Sequence, residues 1–399
     1  ERLDPENANE KGFQRLLNKG RAKKLADYIV AGQDSKDAFL PTSIFIATDK
    51  NIAFNPTNNT IDIDIGEVGP FSVVDGQPAQ RVRGGLRFEL PQTDLGWLAL
   101  DEALQEAQRR HELDLQQPFD LQGGRLFRGE LFRLAPDDHV LMLGVHHLVF
   151  DGWSLGILCR ELGEAYAAFR NGGTWQPTRL PFQPVDFASR ESRNIHGPAF
   201  HRQVEYWKGQ LAGDPPCAGV PFECATPAFG SFEALRRTRN LPVARVSAMR
   251  QIGRQQGCTL SMTLFAVLNV AIFRISGCED LVMGVPLASR HRPGSEGVMG
   301  CFRKRAQLRT DLSGNPTFQE ILSRVRHVFK GALAHQDVAL ENVFPERDVE
   351  HPRHWVQIPI GFNFREGLDA SPVFPDLTVT ILGRSLFYVN TPMDLQVVA

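Results

Sequence analysis

Apolar residues recur at helical spacing in some stretches of this chain and gather into strand-length runs in others. Leu98, Leu100, Ala103, Leu104 and Ala107 fall on one side of an amphipathic helix spanning Leu98 to Glu112. Val140 to Val145 is an apolar run of strand length after the turn-like Ala135-Pro-Asp-Asp138. Leu155, Ile157, Leu158, Leu162, Ala165, Tyr166 and Phe169 then follow a helical period, so the intervening residues form a strand-to-helix corner. Downstream, one helix near Phe200 to Leu211 interrupts a Pro-rich crossover between Gly172 and Gly230. Helices are predicted at Ala244–Gln256, Thr259–Ile275 and Thr317–Ala334, and strands at Leu281–Val285, Ile358–Phe364 and Leu377–Leu382. Residues 1–30 read as charged helices, and 41–75 as short β-branched strands separated by Asn-Pro and Gly-Pro turns. Strands alternating with helices, without a solenoid-period repeat, predict a layered α/β class.

Bulk properties narrow the picture only modestly. The length of 399 residues suggests two or three folding units, each able to bury a core without staples. Lysine and arginine total 44 against 46 acids, a net charge of −2 that offers nucleic acid no global basic field. The clusters Arg21–Lys24 and Arg303–Arg305 read first as solvated helix faces and second as contact patches. The six cysteines, at 159, 217, 224, 258, 278 and 301, show no Cys-x-x-Cys or zinc spacing, which points to the reduced cytoplasm. No signal peptide is read at the start, and no apolar run reaches bilayer length, so no membrane association is expected.

Candidate chemistry concentrates at the corner, Val145-His-His-Leu-Val-Phe-Asp-Gly-Trp153. An imidazole with an unperturbed pKa near ~6.5 is largely neutral at neutral pH and can take a proton from an attacking amine. The start of the following helix carries partial positive charge, and Gly152 presents a backbone N–H that a tetrahedral oxyanion can approach. Ser154 is a candidate helix cap. The bland reading stands beside this one: paired histidines next to an apolar strand are often core or edge residues, and Asp-Gly alone is an ordinary turn.

From about Asp75 onward the chain resembles the condensation domain of nonribosomal peptide synthetases, a relative of chloramphenicol acetyltransferase. Besides His146–Gly152, the matching segments occur in the family's order. They are Asp75–Val82, Pro118-Phe-Asp-Leu121 with Leu126-Phe-Arg128, Pro181–Phe187, Tyr206–Leu211, Gly284–Arg290, Met299-Gly-Cys-Phe302 with Leu308–Leu312, and His335–Glu341. Departures are equally specific. The family's opening Ser-x-Ala-Gln-x-Arg and later Arg-His-Glu-x-Leu-Arg motifs are missing from residues 1–75. An arginine of the second motif ordinarily pairs with the aspartate corresponding to Asp151, yet its expected place reads Asn59-Thr-Ile-Asp-Ile-Asp64. A buried Asp151 without a cation would destabilise the site, and an added arginine would stabilise it unless Arg290 already serves. Arg303-Lys-Arg305 replaces the usual Asn-Thr, Met393-Asp-Leu395 replaces Phe-Asp-Leu, and the C-terminal lobe is expected to be truncated at Ala399.

Residues 1–77 resemble a different family. Arg21–Ile29, Leu40–Ile46 and Pro70–Gln77 look like the opening of the DGQHR family, whose members include regulators of DNA phosphorothioation, although Pro78-Ala79 stands where His-Arg would follow. A composite chain joined at Asp75-Gly-Gln77 is the expectation.

The resemblance implies two chloramphenicol-acetyltransferase-like lobes of mixed sheets with flanking helices, arranged as a V-shaped pseudo-dimer with the motif at the floor of a tunnel. The expected division is an atypical segment at 1–75, an N-terminal lobe at 76–175, a crossover at 176–230 and a C-terminal lobe at 231–399. Donor and acceptor carrier proteins of adjacent synthetase modules would deliver thioesters on 4′-phosphopantetheine arms, with no cofactor, metal or nucleotide bound to the chain. His147 would position or deprotonate the acceptor amine and Gly152 would supply the oxyanion contact. His146, Asp151 and Arg290 would be structural, and Trp153 and Ser154 would line the substrate tunnel, with packing the stronger role for Trp153. Three alternatives remain open: a CoA-dependent acyltransferase, a catalytically impaired binding domain, and, from residues 1–75 alone, a DNA-modification regulator.

Overall fold

The computed structural model describes residues 41–48, 71–74, 77–80, 88, 90–121, 126–194, 197–213, 237–340, 343, 360–365, 373–383 and 393–398. The helices expected in residues 1–30, the Arg21–Lys24 cluster, Asn59–Asp64, Asp75-Gly76, Cys217 and Cys224 lie outside these. The chain divides into two compact units. The first comprises the described residues of Glu1–Arg193, Arg290–Phe302 and Gly367–Leu386; the second comprises those of Asn194–Ser289, Arg303–Glu366 and Phe387–Ala399.

In chain order the elements are β1 (Pro41–Thr48), β2 (Phe71–Val74), β3 (Gln77–Gln80), β4 (Gln92–Asp94), α1 (Leu100–Gln116), β5 (Phe127–Ala135), β6 (Asp138–His146), α2 (Gly152–Arg170) and α3 (Pro184–Asn194). There follow α4 (Pro198–Gln210), α5 (Val243–Gln255), α6 (Leu260–Ser276), β7 (Asp280–Leu287), β8 (Lys304–Asp311), α7 (Phe318–Ala334), β9 (Ile360–Arg365), β10 (Val379–Gly383) and β11 (Met393–Val398).

The first unit is built on a mixed sheet of order β10-β1-β6-β5-β4, with β4 parallel to β5 and the other pairs antiparallel. β1 runs the whole length of β6, from Pro41 opposite His146 to Thr48 opposite His139, so the segment before Asp75 supplies a strand directly beside the motif strand. β6 is buried along nearly its whole length because helices cover both faces of the sheet. Strand periodicity sends Val140 and Met142 to the α1 side with Ala103 and Ala107, and sends Leu143 and Val145 to the α2 side with Leu155, Leu158 and Cys159. His146 shares the parity of Val140 and Met142 and is drawn into the core; His147 is the first residue beyond the strand. Leu100, expected on the apolar side of α1, is 52 % exposed, because the helix starts only there and its first turn overhangs the sheet.

The second unit carries a sheet of order β11-β9-β7-β8, in which only β7 and β8 are antiparallel. Phe265 of α6 is fully buried and meets Phe329 of α7 and Phe362 of β9 edge-on, at centroid distances of 5.1 and 5.4 Å. Thr259 and Thr317 cap α6 and α7 through their hydroxyls, as Ser/Thr caps do where a helix leaves orphan amide protons. Trp207 of α4 donates its indole N–H to the His335 carbonyl at 2.8 Å, and Tyr206 stacks on the His335 ring at 3.8 Å. Tyr206 and Trp207 of one family-like segment therefore meet His335, which opens another.

Several expectations change. Gly172–Gly230 holds two helices, α3 and α4, of which α3 falls within the first unit up to Arg193 and α4 falls within the second. Arg290–Phe302, expected in a lobe at 231–399, belongs to the first unit because its polar groups bond to the start of α2. Arg303–Arg305 is no helix face: β8 begins at Lys304, whose buried ammonium donates to the Asp337 carbonyl. Among the described residues, no single helix is long and apolar enough to cross a membrane. The architecture is mixed α/β, two sheets with flanking helices.

Candidate active site

The corner between β6 and α2 is held by Asp151. With φ −119° and ψ 178° it is the N-cap of α2, and its Oδ1 accepts the Ser154 N–H at 2.9 Å. This corrects the assignment of the cap to Ser154, which is the third helical residue and completes a capping box. The Ser154 side chain is fully buried; Oγ lies 2.9 Å from Asp151 Oδ1 and 3.0 Å from the Gly300 carbonyl, and accepts the Gly300 N–H at 2.9 Å. A hydroxyl so enclosed cannot line a passage for substrate, which corrects the tunnel assignment for Ser154. Trp153 is 37 % exposed and donates its indole N–H to the Glu296 carbonyl at 3.0 Å.

Asp151 does not lack a cation. Arg290 Nη2 lies 3.0 and 3.1 Å from its two carboxylate oxygens, and both side chains are buried. Arg290 Nη1 donates to the Ser295 and Val298 carbonyls at 2.7 and 2.6 Å, and the guanidinium lies over the Phe302 ring at 4.3 Å. Burial lowers the Arg290 pKa and the Asp151 charge opposes that. The Phe302 N–H donates to Asp151 Oδ2 at 3.1 Å. Two charges taken out of water are tolerable only with such dense compensation. The missing first-lobe arginine thus leaves no vacancy at this carboxylate: Arg290 occupies it, so an added arginine is not expected to stabilise the fold.

The two histidines differ sharply. His146 is 1 % exposed, accepts the Leu148 N–H at Nδ1 (3.1 Å) and meets Phe119 edge-on at 5.5 Å. Burial first, then the adjacent His147 and Arg128, push its pKa down to about 3, so it is neutral in the fold. Arg128 lies over Phe119 at 4.0 Å and pairs with Asp114 at 2.9 Å. The Pro118–Leu121 and Leu126–Arg128 segments hence form the bed of His146. His147 is half-buried and its Nδ1 lies 3.7 Å from Cys301 Sγ. Gly152 opens α2, and a Cβ there would meet nothing within 4 Å.

The structure thus gathers His146, His147, Asp151, Ser154 and Arg290 around one corner and adds residues that sequence reasoning left unassigned. Gly300, Cys301 and Phe302 belong to the site, although the Met299–Phe302 match was visible as a motif. A Cβ on Gly300 would lie 2.8 Å from Phe302 Cε2 and 2.9 Å from Pro184 Cγ, so the glycine permits the close approach. Among the described residues no group of three or more His, Cys, Asp or Glu converges as a metal site.

The family model described as Condensation domain matches residues 71–366. One component of the linear gramicidin synthase of Brevibacillus parabrevis is 33% identical over 326 residues, covering 82% of this chain and 4% of that protein. Phosphinothricin tripeptide synthetase PhsC from Streptomyces viridochromogenes is 34% identical over 302 residues, covering 75% of this chain and 28% of its own length. The chain therefore spans a small part of these relatives. Among solved structures, the X-domain from teicoplanin biosynthesis superposes with a TM-score of 0.74 at 22% identity, covering 94% of this chain and 82% of that one. The first condensation domain of the CDA synthetase gives 0.69 at 19% identity, covering 96% and 88%. With well over half of its length matched by the family model, and with the histidine motif on a corner inside that match, this chain is a member of the condensation-domain family.

Proposed function

We propose that the chain forms amide bonds within a nonribosomal peptide synthetase, joining an acyl or aminoacyl thioester on a donor carrier protein to the amine of an acceptor carrier. The observation that carries this is the contrast within the histidine pair: His146 is sealed in the core and held neutral, whereas His147 stands half-buried at the end of β6 beside the start of α2. In the reaction the amine nitrogen attacks the thioester carbonyl, the C–N bond forms and the C–S bond breaks. His147 takes the ammonium proton of the tetrahedral adduct and passes it to the departing pantetheine sulfur. The Gly152 N–H and the positive end of α2 face the developing oxyanion. Asp151 and Arg290 keep the corner in shape without touching substrate. Delivery of both reactants on tethers supplies proximity that the protein need not create itself.

Under this reading the chain binds no cofactor of its own, 4′-phosphopantetheine arms bring the substrates, neighbouring synthetase modules are its partners, and it works in the cytoplasm. The DGQHR likeness of residues 1–77 bears on origin alone in this reading, since β1, which lies within that stretch, pairs along the motif strand. A CoA-dependent reaction is the second reading. It is favoured by the fold likeness, TM-score 0.72 at 17% identity, to a starter condensation domain of rhizomide synthetase solved with C8-CoA and Leu-SNAC.

The test is to incubate the chain with loaded donor and acceptor carriers and follow intact mass. A dipeptidyl thioester on the acceptor carrier is the expected result. Equal product from a free acyl-CoA donor would remove the carrier requirement, and no product from either donor would leave a binding domain.

A further inference from the structure

Cys301 Sγ lies 3.7 Å from His147 Nδ1, within reach of a hydrogen bond to sulfur. Its backbone is held on both sides. The Gly300 N–H is bonded to Ser154 Oγ at 2.9 Å and the Phe302 N–H to Asp151 Oδ2 at 3.1 Å, so the ion-paired corner that starts α2 also sets where the thiol sits. The thiol thereby approaches the Nδ1 edge of the His147 ring, and Nε2 is the nitrogen on the opposite edge.

A neutral imidazole has one N–H and one lone pair, and the hydrogen bond made by one nitrogen decides which role the other plays. A base acting through Nε2 needs its lone pair there, so Nδ1 must carry the proton and must meet an acceptor. Sulfur is a weak acceptor, strengthened by anionic character. The Arg290 guanidinium interacts electrostatically with Cys301 and is itself ion-paired with Asp151, and burial holds the adjacent His146 neutral.

We infer that Cys301 is a positioning residue that holds His147 in the tautomer protonated at Nδ1, keeping the Nε2 lone pair turned to the substrate amine. This rests on the amide-forming reading of His147, but its test does not require turnover. Nitrogen-15 histidine NMR of the whole chain, with His147→Ala to identify the signals, reads the tautomer directly. The native chain should show His147 protonated at Nδ1, Cys301→Ala should move population to the Nε2–H form, and Cys301→Ser, which keeps an acceptor, should restore it. In the carrier assay kcat should fall about tenfold in Cys301→Ala, with KM little changed, and recover in Cys301→Ser. Cys301→Val, which leaves no cavity and has no acceptor, serves if alanine unfolds. A native ring protonated at Nε2, or populations unmoved by both alanine and valine, would overturn the inference while leaving the function intact. A tautomer shift in a chain that makes no amide would remove the function and leave the pairing.

Discussion

Arg290 and Asp151, 139 residues apart in sequence, are joined by one guanidinium nitrogen 3.0 and 3.1 Å from the two carboxylate oxygens. The same aspartate caps α2 and accepts the Phe302 N–H, so a single carboxylate fastens a helix start, an arginine and a returning loop. The corner that presents His147 is therefore a product of tertiary pairing as much as of local turn chemistry.

Removing one partner of a buried pair strands the other. Arg290→Met should destabilise the first unit by about 3–5 kcal/mol in urea unfolding. Asp151→Asn, which keeps a capping oxygen, should still cost about 2 kcal/mol or more because the guanidinium is left uncompensated. A loss below about 1 kcal/mol for Arg290→Met would show that the pair contributes little.

Two glycines of the corner should respond in opposite ways. Gly300→Ala forces a methyl against Phe302 and Pro184 and should lose about 1–3 kcal/mol. Gly152→Ala meets open space, so melting should stay within about 0.5 kcal/mol of the parent. Its methyl stands where substrate would approach the helix start, and turnover should fall about tenfold or more. Full activity in Gly152→Ala would place the reacting carbonyl elsewhere.

His146 makes stability pH-dependent. Its folded pKa of about 3 lies below the ordinary value near ~6.5, so between them the unfolded chain binds a proton that the folded chain does not. Stability contributed by this group is fully present above about pH 6.5 and is lost as pH falls, by up to ~1.4 kcal/mol per pH unit. His146→Asn keeps an acceptor for the Leu148 N–H but does not titrate. Urea unfolding at about pH 6.5, 6 and 5 should show a slope shallower than the parent's by about half a proton at the first and approaching one at the last, a comparison in which the buried His111 and His139 cancel. Equal slopes would mean that His146 is not neutral in the fold.

Periodicity exposed the helices and strands flanking the motif, because β6 and α2 bury regular faces whose spacing is written in Val140–Val145 and Leu155–Phe169. It missed α3, masked by Pro181 and Pro184, and β8, where Lys304 and Arg305 disguise a strand whose lysine is buried by a carbonyl partner. The corner itself, a strand end followed by the start of a helix, was legible in His146 to Gly152. Its long-range support was only partly so. Arg290 was nameable as a partner for Asp151, but the pairing of Gly300, Cys301 and Phe302 with α2 depends on a chain return that no local pattern encodes. Ser154 was misassigned for the same reason: what encloses its hydroxyl comes from residues 290 to 300.

The central claim is that the His147 imidazole handles the proton of amide formation. The most direct measurement compares the parent and His147→Ala in the carrier-to-carrier assay, with melting curves confirming that both are folded. Dipeptidyl thioester accumulating in the parent and falling by about a hundredfold or more in His147→Ala is the predicted result. Equal rates of product formation in the two folded chains would contradict it.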